Sequence, residues 1–197
     1  EKPMSGFNLS QTQIIMTEQV CSGSAKNTIS LKLHLPGFSS HKVKEAADAV
    51  LDSADIFAVS LSLKDGEWVI SRGEGKILGC SIEKERTLGL AEEYMAAMDR
   101  RPFHMEQCLY QATVIPLFEG GVFLYVRFHH VIIDGYGMSL FVQKTLDALA
   151  EKAVARSVFF TENDALSETV CENGDAGEDG NGEGGQEEEF WRSCFAG

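Results

Sequence analysis

Two adjacent histidines, with an aspartate and a glycine just beyond them, carry the chemistry this sequence offers: His129-His130-Val131-Ile132-Ile133-Asp134-Gly135. An imidazole that titrates near pH ~6.5 can accept and return a proton at neutral pH, which suits a general base. A glycine without Cβ lets a substrate approach the main chain. Adjacent residues of a strand point to opposite faces, so one imidazole serves a given site and the pair cannot chelate a single metal ion. No Gly-x-Ser-x-Gly elbow accompanies them, so a serine hydrolase is not supported. Spacing alone leaves two readings open. One is a catalytic base. The other is a strand end whose imidazoles bond to backbone, with Asp134-Gly135 as a plain turn.

The segments around the pair must position it. Val122 to Phe128 is apolar and aromatic and reads as the strand that delivers the histidines. Alternation puts His130 with Val122, Leu124, Val126 and Phe128, and His129 with Phe123, Tyr125 and Arg127. Leu109 to Phe118 reads as its antiparallel partner, joined at Glu119-Gly120-Gly121, and a helix follows from Gly137 to about Val154. Upstream, Phe7 to Leu9 reads as a short strand, and Ser10 with Gln13 makes a capping box for a helix over residues 11–21. Thr28 to Leu35 alternates as a half-buried strand ended by Pro36-Gly37. Ser39 or Ser40 caps a helix carrying Val43, Ala46, Ala47, Val50 and Leu51.

Ile56 to Leu63 alternates again and turns at Asp65-Gly66 into Trp68-Val69-Ile70, a hairpin signal. Leu78 to Ile82 reads as a short strand, and Thr87 starts a helix that ends before Pro102. This order predicts an α/β fold, a two-layer sandwich with a mixed, largely antiparallel sheet and helices on one face. Tyr110, Phe118, Phe123, Tyr125 and Phe128 read as core, as do Met95, Met98 and Met105. His34, His41 and His104 show no partner pattern.

At 197 residues the chain has about the length of one domain, and its apolar fraction of 44% supports a core. No apolar run approaches the roughly 18 residues that span a bilayer, and the N-terminus lacks the layout of a signal peptide. Five scattered cysteines without a Cys-x-x-Cys pair predict reduced thiols and a cytoplasmic protein. The net charge is −13, but Glu162 to Glu189 holds eleven acids and no Lys or Arg. Without those eleven the remainder carries −2. The body lacks the basic surface that nucleic acid requires, so neither nucleic acid nor membrane is expected as a partner.

The expected organisation is a lobe over residues 1–160, an acidic Gly-rich flexible loop over 161–189, and a short closing helix over 190–197. The loop cannot bury enough apolar area to offset its ordering entropy. Its acids do not fall in the register of a calcium-binding loop, and no metal site is expected.

The histidine stretch resembles the His-His-x-x-x-Asp-Gly signature of the chloramphenicol-acetyltransferase-like superfamily. Three further stretches resemble condensation domains of nonribosomal peptide synthetases. Leu9-Ser10-Gln11-Thr12-Gln13-Ile14-Ile15-Met16-Thr17-Glu18-Gln19 is similar to that family's opening motif. Arg101-Pro102-Phe103-His104-Met105 is similar to its Arg-Pro-Phe-Asp-Leu segment. Phe190-Trp191-Arg192-Ser193-Cys194-Phe195-Ala196-Gly197 is similar to the motif that closes its N-terminal half.

The resemblance implies amide bond formation between two thioesters carried on the phosphopantetheine arms of carrier proteins, with no cofactor bound to the chain itself. The implied site is His129, His130, Asp134 and Gly135. His130 either deprotonates the attacking amine or orients it and stabilises the tetrahedral intermediate, Gly135 lends its backbone to the thioester oxygen, and Asp134 is structural. The implied partners are carrier domains, an adenylation domain and a C-terminal lobe, so that the chain is the first half of a two-lobed domain. Two departures stand out, and two subfamilies do not match. Counted back from Asp65-Gly66, the family's arginine that pairs with the aspartate falls near Ala58, so Asp134 needs Arg127, Arg72 or helix N–H groups instead. Gly137 stands where the family often has Ser. Tyr136-Gly137-Met138-Ser139 lacks the Ser-Trp of epimerisation relatives, and heterocyclisation relatives replace the histidines with aspartates. Two other expectations remain: a stand-alone coenzyme A-dependent acyltransferase with sites between subunits, and a catalytically degenerate lobe that only docks carrier proteins.

Overall fold

The computed structural model describes residues 7–8, 25–64, 66–72, 78–103 and 108–156. The helix expected over residues 11–21, the acidic loop and the closing segment lie outside the described residues.

The central sheet has four strands. β2 (Thr28–Leu35), β7 (Val122–His129), β6 (Tyr110–Pro116) and β5 (Ser81–Ile82) lie in that spatial order. β7 pairs antiparallel with β2, from Thr28 opposite His129 to Leu35 opposite Val122, and antiparallel with β6 on its other side. β5 pairs parallel with β6, so the sheet is mixed and largely antiparallel. A second sheet sets β1 (Phe7–Asn8) beside β4 (Glu67–Arg72) and β3 (Val59–Lys64). The three described helices are α1 (Ser40–Ser53), α2 (Leu88–Asp99) and α3 (Gly135–Leu149).

Local signals set most of these elements. The Ser39 hydroxyl accepts from the Lys42 N–H and caps α1, and Thr87 does the same for the Leu90 N–H of α2. The β6–β7 connection depends on Gly121, whose φ of 78° belongs to the left-handed region. A Cβ there would sit 2.9 Å from the Pro36 Cα.

The mixed α/β class read from the sequence stands, but the helices occupy both faces of the sheet instead of one. Val122, Leu124, Val126 and Phe128 join Val43, Ala47, Val50 and Leu51 of α1 and Phe141 and Leu149 of α3 in one core. Phe123 and Tyr125 join Ile115, Leu117 and the Ala91, Met95 and Met98 of α2 in another. A central strand covered on both faces is apolar at nearly every position, and all eight residues of β7 are buried.

Smaller corrections follow from local geometry. Residues 55–58 form a 3-10 turn, Asp55–Ala58, so β3 begins only at Val59. The expected strand from Leu78 reduces to Ser81–Ile82. Phe118 is 65% exposed because it sits in the β6–β7 turn and not on the strand. The last helix begins at Gly135, two residues early, because Asp134 caps it, and it ends at Leu149.

Candidate active site

The histidines stand at the end of β7, where both neighbouring strands hold the backbone. The His129 N–H donates to the Leu109 carbonyl at 2.7 Å, and the His130 N–H donates to the Asn27 carbonyl at 2.7 Å. Successive N–H groups thus turn to opposite sides and the strand alternation carries through His130. The two imidazoles separate accordingly.

His129 is fully buried on the α2 face, edge-on to Phe103 with ring centroids 6.2 Å apart. Its Nδ1 accepts the Val131 N–H at 3.1 Å. An accepting Nδ1 carries no proton, so the neutral ring bears its hydrogen on Nε2. Burial, and secondarily the neighbouring His130, pushes its pKa down to about 4. The Nε2 is buried and has no hydrogen-bond partner among the described residues. His129 is therefore a neutral brace for the turn that follows.

His130 differs in each respect. It is partly exposed and opens the turn over residues 130–132, which the Ile132 N–H closes by donating to the His129 carbonyl at 3.1 Å. Its backbone is fixed from both sides, by Asn27 through its own N–H and by the His129 ring through Val131. An imidazole on a fixed backbone that solvent or substrate can reach is the arrangement a proton acceptor requires.

Asp134 and Gly135 begin α3. The Asp134 Oδ1 accepts the Gly137 N–H at 2.7 Å, which makes Asp134 the N-cap of the helix. The helix backbone, one of the donors weighed from the sequence, thus supplies a bond to Asp134. The guanidinium of Arg127 goes elsewhere, to the carbonyls of Met98 and Arg101. Ala58, where the resemblance leads one to expect an arginine, closes the 3-10 turn. Gly135 lies exposed at the first position of α3, with nothing within 4 Å of where a Cβ would stand. A Cβ at Gly137 would meet Ile133 Cγ1 at 2.7 Å, so any larger residue there would have to displace that side chain. The departure from Ser at this position thus fits the fully buried Ile133.

Aromatic rings anchor the whole connection from beneath. Phe128 lies 5.3 Å from Phe141 of α3 and 5.7 Å from Phe57, which lies 5.6 Å from Tyr110. Sequence reasoning did not single out Phe103 and Asn27, which touch the histidine pair directly. Phe103 had a signal, as part of the Arg-Pro-Phe stretch. Asn27 acts through its carbonyl, which no residue type announces. Among the described residues no three His, Cys, Asp or Glu side chains converge as metal ligands. None of the described helices is long and apolar enough to cross a membrane. A cleft of about 1250 Å³ between α1 and the end of α3 is lined by Lys42, Asp52, Glu151 and Arg156 among others, and none of the motif residues reaches it.

The model of the condensation domain matches residues 6–197, nearly the full length. The chain belongs to the condensation domain family. No curated protein sequence matches it. Among solved structures, the starter condensation domain of rhizomide synthetase RzmA is similar at 19% identity with a TM-score of 0.70, covering 83% of this chain and 44% of that one. A variant of that domain in complex with C8-CoA matches 98% of this chain and 46% of its own length, at 20% identity and a TM-score of 0.70. The first condensation domain of the CDA synthetase matches at 15% identity and a TM-score of 0.63, covering 73% of this chain and 39% of that one. At these identities the likeness establishes the fold. This condensation-domain chain spans less than half the length of the solved relatives.

Proposed function

We propose that the chain is the N-terminal lobe of a condensation domain that joins an acyl or peptidyl thioester to an aminoacyl thioester, with His130 at the reacting amine. The observation that carries this reading is the asymmetry of the histidine pair. His129 is buried, neutral and spent on the Val131 N–H, whereas His130 is held by the same contacts and left within reach.

In the reaction the α-amine nitrogen attacks the thioester carbon. A carbon–nitrogen bond forms, the carbon–sulfur bond breaks, and the amine proton passes by way of His130 to the departing thiolate. The exposed first residue of α3, Gly135, leaves backbone open to the developing oxyanion, and the helix N-terminus favours negative charge there. Both substrates would arrive on phosphopantetheine arms of carrier domains, with an adenylation domain loading one of them. A C-terminal lobe would supply the opposite wall. The complex of a relative with C8-CoA supports a fatty-acyl thioester as one class of donor. The cytoplasm is the expected compartment.

The test is His130→Ala in the intact parent synthetase, with carrier-bound product measured by mass. Loss of amide product with both carriers still loaded is expected. Product at the wild-type level would remove His130 from the mechanism.

A further inference from the structure

We propose that Arg127 is a positioning residue for the catalytic histidine: its guanidinium seats Phe103 against the His129 imidazole and so fixes the ring that braces the His130 turn. The inference rests on the assignment of His130 above and adds to it the residues that hold its support in register.

Arg127 is 2% exposed on a strand that is otherwise apolar apart from Tyr125 and the histidine. It donates to the Met98 carbonyl at the end of α2 and to the Arg101 carbonyl just beyond it. A helix C-terminus is a favourable place for a cation, and Asp99 adds further attraction. These two bonds tie down residues 98–101, and Phe103 follows two residues later. The guanidinium carbon lies 4.5 Å from the centre of the Phe103 ring, and that ring meets His129 edge-on at an interplanar angle of 84°. Arg127 and His129 are two apart on one face of β7, so a single ring covers both. Burial opposes the charge and lowers the Arg127 pKa. A buried cation is a poor way to gain stability alone, since apolar replacements of such groups are often neutral or better. What it supplies is geometry: a fixed loop, a fixed phenyl ring and a single orientation of His129.

The experiment uses the 197-residue chain labelled with 15N at histidine, and reads the imidazole nitrogen shifts at neutral pH. Wild type should hold His129 as one neutral tautomer protonated on Nε2. Arg127→Met and Phe103→Leu should each convert it to a mixture of tautomers, and Arg127→Lys should restore part of the single-tautomer signal. In the intact parent the same variants should lower kcat by about tenfold or more with KM little changed, as expected for a misplaced group. Phe103→Leu leaves the bonds from Arg127 to α2 in place, so it decides the matter if Arg127→Met does not fold. A folded variant of either kind whose His129 keeps one Nε2–H tautomer overturns the proposal. Wild-type product from His130→Ala would instead sink the assignment of the base, and the tautomer measurement would still report on the brace.

Discussion

The two faces of β7 hold the same strand by different means. One face carries Val122, Leu124, Val126 and Phe128, packed on α1 and α3. The other carries Phe123, Tyr125, Arg127 and His129, and from Tyr125 onward it is fastened by hydrogen bonds. The Tyr125 hydroxyl donates to Asp99 Oδ1 at 2.6 Å, and Lys32 lies 3.2 Å from the same carboxylate. Burial would push the Asp99 carboxyl up, but the bonds from Tyr125, Ser30 and Lys32 hold it below the usual range. Apolar packing is non-directional and sets how firmly the strand is held. Hydrogen bonds are directional and set where its end points. The histidines lie at the meeting of the two, one on each side.

The largest effect should come from the apolar face. Phe128→Ala removes a fully buried ring that touches Phe57, Tyr110 and Phe141, and should cost about 3–5 kcal/mol. Urea unfolding measures it. A cost below about 1 kcal/mol would mean that the apolar face does not anchor the strand.

The polar face should show itself next, through pH. The folded pKa of His129, about 4, lies below its ordinary value of about 6.5, so the unfolded chain takes up the proton first as pH falls. Stability is then full above pH ~6.5, declines between ~6.5 and ~4, and stops changing on this account below that. The whole decline amounts to about 3 kcal/mol for this group. His129→Gln should flatten this portion of the curve, whereas Phe128→Ala should lower the whole curve in parallel. Equal slopes in wild type and His129→Gln would show that His129 is not held neutral by its surroundings.

The sequence made the apolar face more legible than the polar one, for a physical reason. Periods of two and 3.6 residues and the capping hydroxyls of Ser39 and Thr87 are local, and they yielded β2 and β7 nearly to the residue and α1, α2 and β6 in place. The side of the sheet that α2 takes is not local. It follows from β5 adding in parallel beside β6, which no period records. The polar face was harder still. Arg127 was visible as a charge beside His129, but its partners are the carbonyls of Met98 and Arg101, and every residue has a carbonyl. The histidine signature itself was legible, and so was the opposite facing of its two rings. Phe118 continues the aromatic pattern of β6 in the sequence, but it sits in the turn after the strand and is exposed.

Asp134 offers the smallest effect and the sharpest test of how far hydrogen bonding alone sets the site. Its Oδ1 accepts the Gly137 N–H, and an N-cap needs only an acceptor oxygen at that place. Asp134→Ala should therefore cost about 0.5–2 kcal/mol, while Asp134→Asn, which keeps the oxygen and loses the charge, should cost a few tenths at most. An aspartate paired with a guanidinium would behave differently. Removing its charge would leave the cation without its counterion, and Asn would then cost nearly as much as Ala. Thermal unfolding of the two variants separates the cases. A large loss in Asp134→Asn would point to an arginine partner beyond the described contacts of Asp134, and would make the turn after the histidines charge-held. A small loss fits Ala58: with the backbone of α3 as donor, the arginine expected at that position is not needed to satisfy Asp134.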